Sequence, residues 1–362
     1  MNSSSCILEI DLSKIQQNYH ILSKICESAK IASVVKANAY GLGADKVAPA
    51  LALAGACDFF VAKLEEGIVL RESLKSTANI YVLNGVFTNE LKEFTEYNLI
   101  PVLNFPEQVE LWQRYASDLN RLLPCIIHIN TGMNRLGHSI DEAKEFALNH
   151  GSHSNLDIRY VMSHLSASEE QENPHNQLQL EKFKSCLSYF KGARASLANS
   201  SGIFLSPDYH FDLARPGIAL YGGNPTPGQA NPMQQVIKLF APIIQLQNLA
   251  PSSLIGYNMT YTTKRDTLLA TLPVGYADGY SRGFSNCGEI FINGRKANVV
   301  GRISMDLITV DVTDLPRDEI FVGTKAEIIG DYCTIDKIAA ITGTISYEIL
   351  TTLSQRYKRV YK

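Results

Sequence analysis

A lysine at the end of an apolar run is the residue of this chain best suited to covalent or proton-transfer chemistry. Residues 31–35 (IASVV) are apolar and partly β-branched, which is typical of a strand buried on both faces, and Lys36 follows directly. Burial of a lysine stem lowers the pKa of its amine, so that a free amine is available to form a Schiff base or to move a proton. Tyr40 adds a hydroxyl, and Gly41 and Gly43 let a ligand approach the backbone. The alternative is a lysine that reaches from a strand end into solvent beside an ordinary glycine turn.

The segments that must position this lysine alternate between two kinds. Short apolar runs occur at residues 31–36, 58–62, 80–83, 100–103, 125–129, 158–164, 195–199 and 211–214. Amphipathic, helix-like segments occur at residues 12–27, 45–55, 65–74, 107–115, 141–149 and 177–189. Eight strand candidates that alternate with helices predict an α/β fold, an N-terminal (β/α)8 TIM-like barrel. A doubly wound sheet is the alternative, but no GxGxxG motif follows the first strand.

A second, β-dominated domain is predicted after the barrel. The loop at residues 222–228 (GGNPTPG) has the composition of a domain boundary. Beyond it, β-rich runs occupy residues 236–249, 267–273, 290–312 and 326–329, and two short helices are expected at 335–341 and 347–353. Asn293-Gly294 is the signature of a type I′ hairpin turn. The predicted domains are therefore residues 11–235 for the barrel and 236–362, with a strand at residues 6–10, for the β-domain.

Bulk composition favours a small-molecule ligand over nucleic acid or an anionic membrane surface as the main partner. Of the 362 residues 45% are hydrophobic and 19% charged, and the net charge of −3 comes without a long basic run. The first residues lack the basic and apolar regions of a signal peptide, and no apolar stretch reaches the length of a membrane span, so we expect a cytoplasmic protein. Seven cysteines without a CxxC pair predict reduced, mostly buried thiols and no metal site.

The remaining polar candidates fall at the carboxyl ends of predicted barrel strands, where barrel enzymes assemble their sites. Besides Lys36 they are Arg135 after the fifth strand, His164 at the end of the sixth, Asn199 and Ser200 after the seventh, and Arg215, Gly217 and Ile218 after the eighth. Ser200, Gly217 and Ile218 could hold a phosphate through a hydroxyl and backbone amides. A Schiff-base lysine that faces such a phosphate site suggests pyridoxal 5′-phosphate. Each residue alone could instead be a core histidine or a salt-bridge partner.

The order of these motifs along the chain resembles the alanine racemase family, pyridoxal-phosphate enzymes of fold-type III. The resemblance covers nearly the whole chain and rests on residues 35–41 (VKANAYG), 131–137 (TGMNRLG), 198–200 (ANS), 215–222 (RPGIALYG), 256–261 (GYNMTY), 275–279 (GYADG) and 301–306 (GRISMD). It implies an isomerase that interconverts L- and D-alanine and supplies D-alanine for bacterial peptidoglycan. It also implies a head-to-tail homodimer in which each β-domain completes the active site of the partner subunit.

The resemblance also implies roles for individual residues. Lys36 would bind the cofactor as a Schiff base and act as one acid/base, and Tyr261 would arrive from the other subunit as the opposite one, as racemisation requires. The cofactor-binding residues would be Lys36, Tyr40, His164, Asn199, Ser200, Arg215, Gly217 and Ile218. Arg215 would face the pyridine nitrogen and weaken the ring as an electron sink. Arg135 and the backbone of Met305 would bind the substrate carboxylate, and Tyr276 would narrow the entrance.

Three positions depart from the family pattern. His128 stands where many relatives have a lysine that supports the substrate-binding arginine, Asn130 replaces a common aspartate, and Gln355 replaces a tyrosine that contacts the phosphate in some relatives. The orientation of Arg135 and the affinity for the cofactor are therefore open from sequence alone. Other open functions are a racemase of broader specificity, a fold-type III decarboxylase, a non-catalytic cofactor-binding protein, and a barrel enzyme without this cofactor.

Overall fold

The structure is a computed structural model that describes residues 5–74, 78–149 and 155–362. Its residues divide into two compact units. One unit is Ile15–Gln234, and the other combines the residues up to Lys14 with Gln235–Lys362. Met1–Ser4, part of the stretch inspected for a signal peptide, lie outside the described residues.

The strands are β1 (Ile7–Ile10), β2 (Lys30–Val34), β3 (Asp58–Val61), β4 (Asn79–Val82), β5 (Ile100–Leu103), β6 (Leu123–His128), β7 (Leu156–Met162), β8 (Ala195–Ser196), β9 (Leu213–Ala214), β10 (Ile237–Pro242), β11 (Gln245–Leu249), β12 (Leu254–Ile255), β13 (Tyr261–Thr262), β14 (Thr267–Leu272), β15 (Glu289–Ile292), β16 (Arg295–Val299), β17 (Ile308–Asp311), β18 (Lys325–Ile329) and β19 (Lys358–Tyr361). The helices are Leu12–Ile25, Ala44–Leu53, Leu64–Leu74, Leu91–Glu96, Pro106–Asp118, Ile140–Leu148, Pro174–Leu187, Ile335–Thr342 and Ser346–Thr351.

The first unit is a nearly closed parallel barrel. Within the described residues its sheet has eight strands in the order β8-β7-β6-β5-β4-β3-β2-β9. The two end strands meet through single hydrogen bonds, from the Asp212 amide to the Ala195 carbonyl (3.0 Å) and from the Arg215 amide to the Ala198 carbonyl (2.8 Å). All eight predicted strands are present, so the predicted TIM-like barrel is confirmed.

Burial on both faces explains why these strands are continuous apolar runs. All four residues of β3 are buried, and so are all four of β5. The two strands that bear the predicted phosphate site, β8 and β9, are only two residues long, shorter than predicted. The residues that follow β8 and β9 are no longer paired as strands, and the candidate site residues begin there, at the carboxyl end of the barrel.

The second unit is rich in strands, as predicted. Within the described part of the chain its main sheet has the order β11-β14-β17-β16-β15-β18-β10-β1-β19. Asn293 and Gly294, with φ of 49° and 77°, form the expected hairpin turn between β15 and β16. The sequence did not reveal β19, two of whose four residues are charged, or the two-residue strands β12 and β13. No helix among the described residues is long and apolar enough to cross a membrane.

Candidate active site

Lys36 begins a left-handed helical turn at the carboxyl end of β2. Lys36–Tyr40 follows β2, and Ala37–Tyr40 all have φ between 52° and 55°. Non-glycine residues in this conformation are disfavoured by about 1–2 kcal/mol each. Hydrogen bonds close the turn, from the Gly41 amide to the Ala37 carbonyl (2.8 Å) and from the Ala44 amide to Asn38 Oδ1 (2.8 Å). A strained backbone conformation persists only where the surrounding structure holds it in place, and such conformations are frequent at functional sites.

The environment of Lys36 favours a neutral amine. The side chain is partly buried. Burial lowers the pKa of Lys36 most, the positive charge of Arg135 lowers it further, and Glu66 acts in the opposite direction. A lysine whose amine loses its proton more readily than in water is suited to attack an aldehyde or to accept a proton from carbon.

Tyr40, Ser200 and Gly217, three of the residues expected to bind a phosphate, are close neighbours. Ser200 Oγ accepts hydrogen bonds from the amides of Gly217 (2.9 Å) and Ala219 (3.3 Å), so its own proton can be donated to an anion. A Cβ on Gly217 would lie 2.1 Å from Tyr40 Oη, so only glycine fits there. Burial raises the pKa of Tyr40, which keeps its hydroxyl a donor. Ile218 is the first residue of a 3₁₀ turn, so its backbone amide has no acceptor within that turn.

Asn199 organises the backbone beside Ser200. Its Oδ1 accepts from the Gly202 amide and from Ser168 Oγ, both at 2.9 Å. Its backbone forms a parallel bridge with Arg215. Asn199 therefore links the backbone that precedes Ser200 to the backbone of Arg215.

Arg215 is held inside the barrel by neutral acceptors. Its guanidinium donates to Ser196 Oγ, to the Ser163 carbonyl (2.6 Å) and to the Leu197 carbonyl (3.3 Å). Burial lowers the pKa of Arg215 to about 9, so the side chain stays charged at neutral pH. No carboxylate pairs with it among the described residues. The positive charge is therefore available to a ligand.

His164 contacts Arg215 and is neutral. Arg215 Nη2 lies 3.3 Å from His164 Nδ1. Burial, followed by the charge of Arg215, holds the pKa of His164 well below its usual range. Because an arginine only donates, His164 Nδ1 is the acceptor and Nε2 carries the proton. His164 thus presents one N–H donor to whatever binds beside it.

Asn130 shapes the loop that bears Arg135. Its Oδ1 accepts from the amides of Gly132 and Asn134, both at 3.0 Å, and its Nδ2 donates to Asn134 Oδ1 (3.0 Å). At the base of the loop the His138 amide donates to the His128 carbonyl (2.8 Å). Arg135 itself is exposed. The amide at position 130 therefore organises this loop without a carboxylate.

His128 is locked in one protonation state by a buried network that the sequence did not reveal. Asn104 Nδ2 donates to the carbonyls of Leu83 (3.0 Å) and Val102 (2.9 Å), so its Oδ1 faces His128 Nδ1 at 2.8 Å. An amide oxygen only accepts, so Nδ1 carries the proton. Burial, followed by the charge of Arg215, lowers the pKa of His128 to about 3. The ring is neutral at physiological pH, and its Nε2 is an acceptor.

Replacing His128 by glutamine is expected to reduce the acid sensitivity of the fold. Below the usual histidine pKa the unfolded chain binds a proton that folded His128 refuses, and stability falls until the pH reaches the folded value of about 3. Between about pH 7 and about pH 4.5, wild type should lose about 2–3 kcal/mol more than His128→Gln. Urea denaturation at both pH values measures the difference. His20→Gln, which removes an exposed histidine, is the control. Equal losses in wild type and both variants would contradict the assignment.

Three predicted residues belong to the second unit. Tyr276 and Met305 are 44% and 53% exposed, and they are close neighbours because the Tyr276 amide donates to the Ser304 carbonyl (3.2 Å). A Cβ on Gly275 would lie 2.3 Å from the Met305 carbonyl, which explains the glycine. Tyr261 begins β13 and packs against a small cluster of Ile255, Leu269 and Val300.

The other residues that sequence reasoning missed are supporting groups. Ser163 and Ser196 accept hydrogen bonds from Arg215. Asn104 bonds to His128, and Glu66 accepts from the amide of Ala37, the residue after Lys36. Ser196 and Ser163 lie at or just after barrel strand ends, which is the one signal that could have drawn attention to them. Asn104 carries the same signal, since it directly follows β5, whereas Glu66 has no local pattern that connects it to the site.

Comparison with known families decides which group of enzymes has this arrangement. Residues 10–225 match the model of the alanine racemase N-terminal domain, and residues 236–361 match that of the C-terminal domain. The chain belongs to the alanine racemase family. The family and the enzyme class, an isomerase, are those that the motifs predicted.

Individual alanine racemases match over the whole length. The alanine racemase of Rickettsia conorii is 57% identical, with 99% of each chain covered. The crystal structure of alanine racemase from Bartonella henselae with covalently bound pyridoxal phosphate has a TM-score of 0.95 at 39% identity and covers 99% of this chain and 100% of its own. The biosynthetic alanine racemase of Pseudomonas aeruginosa has a TM-score of 0.91 at 32% identity and covers 99% and 100%.

Proposed function

We propose that this chain interconverts L- and D-alanine on pyridoxal 5′-phosphate, with Lys36 and Tyr261 as acid/bases on opposite faces of the substrate. The observation that carries the proposal is the barrel end itself. There Lys36, an amine with a lowered pKa, shares one mouth with a hydroxyl and amide site for an anion and with a buried, carboxylate-free Arg215. The family match and the cofactor of the Bartonella protein support the same reaction.

The residues present fit the cofactor. Lys36 would attach it, and Tyr40, Ser200, Gly217 and Ile218 would hold its phosphate, since the hydroxyls of Tyr40 and Ser200 can donate and the Gly217 backbone admits a close approach. Arg215 and His164 would lie toward its ring. Asn199 would support the backbone of Arg215, with which it forms a parallel bridge. When bound, pyridoxal phosphate withdraws electrons from the amino acid and so makes its α-proton removable.

Arg215 restrains the reaction to proton transfer. A guanidinium that is already charged disfavours a second proton on a nitrogen facing it. Arg215 would thereby keep the ring of a bound cofactor unprotonated and a weaker electron acceptor, which would favour return of the proton to the α-carbon. Arg215 can keep its charge in the buried site because its own hydrogen bonds go to a hydroxyl and to carbonyl oxygens.

Racemisation needs one group that removes the proton on one face and another that returns it on the opposite face. Lys36 Nζ supplies the first group. We assign the second to Tyr261 of a partner subunit, with the N–H of His164 as its hydrogen-bond partner. A phenol with a usual pKa near ~10 is a weak base, so donors such as His164 are needed to stabilise the phenolate.

The remaining assignments follow the same scheme. Arg135 and the backbone of Met305 bind the substrate carboxylate, and Tyr276 narrows the entrance. The barrel, residues 11–235, binds the cofactor, while residues 236–362 with the strand at 6–10 complete the partner's site in a homodimer with shared sites. A cytoplasmic location and the supply of D-alanine for peptidoglycan stay predictions from the sequence.

The test is α-proton exchange with inversion. The purified protein, supplied with pyridoxal phosphate, is incubated with each L-amino acid in deuterated water, and deuterium at Cα and the D-enantiomer are measured together. We expect both with alanine. Inversion of other amino acids at equal rates would indicate a broader racemase, and loss of carbon dioxide would indicate a decarboxylase. The absence of a visible absorbance band that borohydride removes would exclude this cofactor.

A further inference from the structure

Glu66 is hydrogen-bonded to the turn that bears Lys36. Its Oε1 accepts from the amide of Ala37 at 2.6 Å, the first peptide after the lysine. Glu66 lies in the helix Leu64–Leu74, which follows β3, whereas Lys36 follows the neighbouring strand β2. A carboxylate that accepts from a backbone amide forms a charge-assisted bond, which is stronger than a neutral one.

The second oxygen of Glu66 is bonded to the backbone after β3. Oε2 accepts from the amides of Ala62 (2.8 Å) and Lys63 (3.2 Å), immediately before the helix Leu64–Leu74. This is the position from which a glutamate caps a helix N-terminus. The Glu66 carboxylate is therefore held in place by the backbone after β3, and through its other oxygen it links that backbone to the backbone after β2.

The left-handed turn needs such an anchor at its start. Ala39 and Tyr40 are buried, but Ala37 and Asn38 are exposed, so packing cannot hold the first half of the turn in its disfavoured conformation. Asn38 has its own anchor, since its Oδ1 accepts from the Ala44 amide at the start of the next helix. The bond from Ala37 to Glu66 is the corresponding anchor next to Lys36.

Glu66 also adds negative charge near the amine. The titratable groups that interact with Lys36 among the described residues are Arg135 from the loop after β6, Glu66, and His164 after β7. Arg135 lowers the pKa of Lys36, Glu66 raises it, and His164 is neutral. The Glu66 carboxylate therefore partly offsets the lowering of the Lys36 pKa by burial and by Arg135.

We propose that Glu66 is a positioning residue for Lys36, whose carboxylate holds the start of the left-handed turn and so keeps the amine at the barrel mouth. The proposal rests on the proposed function only for the statement that Lys36 attaches the cofactor. Its structural part concerns the turn alone and can be measured without catalysis.

Hydrogen–deuterium exchange of the peptide spanning residues 35–42 tests the structural part. In Glu66→Ala the Ala37 amide loses its acceptor, and we expect exchange about tenfold faster or more. Glu65→Gln is the matched control because Glu65 is the exposed neighbour on the same helix. Exchange in Glu66→Ala equal to that in wild type and Glu65→Gln would overturn the proposal.

The pH dependence of pyridoxal phosphate attachment tests the role toward Lys36. Adducts fixed with borohydride are located by mass spectrometry over a range of pH in wild type, Glu66→Gln and Glu65→Gln. The glutamine has the shape of Glu66 without its charge, so attachment to Lys36 should begin at lower pH in Glu66→Gln alone. The same profile in all three would count against the role. Absence of any adduct at Lys36 in wild type would instead contradict the proposed function, while the exchange result would still decide on Glu66.

Discussion

Replacing Lys36 by alanine is expected to remove cofactor attachment and racemisation together. The variant lacks the amine that we propose binds the aldehyde and serves as the base on one face of the substrate, and loss of such a group lowers kcat by at least about 10³-fold. The visible absorbance of the lysine-bound cofactor should disappear as well. Absorbance spectra and the rate of D-alanine formation from L-alanine measure the two effects.

A matched control separates this effect from a general loss of lysine charge. Lys46 lies in the helix that follows the left-handed turn, it is exposed, and it pairs with Asp45 at 3.3 Å. Lys46→Ala should keep both the absorbance band and the activity. If Lys36→Ala kept both, the cofactor site assigned to the end of β2 would be wrong.

Replacing Tyr261 by phenylalanine is expected to affect the two enantiomers of alanine unequally. The ring and its packing against Ile255, Leu269 and Val300 remain, but the hydroxyl that we propose transfers a proton on one face is lost. Proton removal from one enantiomer should fall by about 10²–10⁴-fold, and removal from the other should fall much less. Single-turnover exchange of each enantiomer in deuterated water measures the ratio.

Tyr257→Phe is the control for this variant. Tyr257 lies in the segment between β12 and β13, and 68% of it is exposed, so removal of its hydroxyl should leave both exchange rates close to wild type. A small and equal decrease for both enantiomers in Tyr261→Phe would argue for a single base that serves both faces.

Local patterns predicted the barrel because its strands are buried on both faces and its helices on one. Each of the eight apolar runs became a strand of the barrel, and the Asn293-Gly294 pair became a hairpin turn. The same reasoning failed for Lys36–Tyr40. Alanine-rich segments prefer the right-handed helix, so nothing local indicates four consecutive residues with positive φ.

The candidate residues could be selected from sequence because a parallel barrel gathers its strand ends at one mouth. Their hydrogen-bond partners and protonation states could not be predicted in the same way. Arg215 meets Ser163 and Ser196 from other strands, 52 and 19 residues away, and His128 obtains its tautomer from Asn104 on a neighbouring strand's end. Contacts between distant segments leave no trace in the spacing of residues along the chain.

The amino-acid sequence by itself determined the eight barrel strands, the strand-rich second unit and the family, and it selected the candidate residues, since periodicity and motif order are local properties. Only the tertiary structure decided that Lys36 starts a left-handed turn, that Glu66 from the next β/α unit bonds to that turn, and that His128 and His164 are neutral. Each of these depends on burial and on hydrogen bonds across neighbouring strands, which exist only once the barrel has formed.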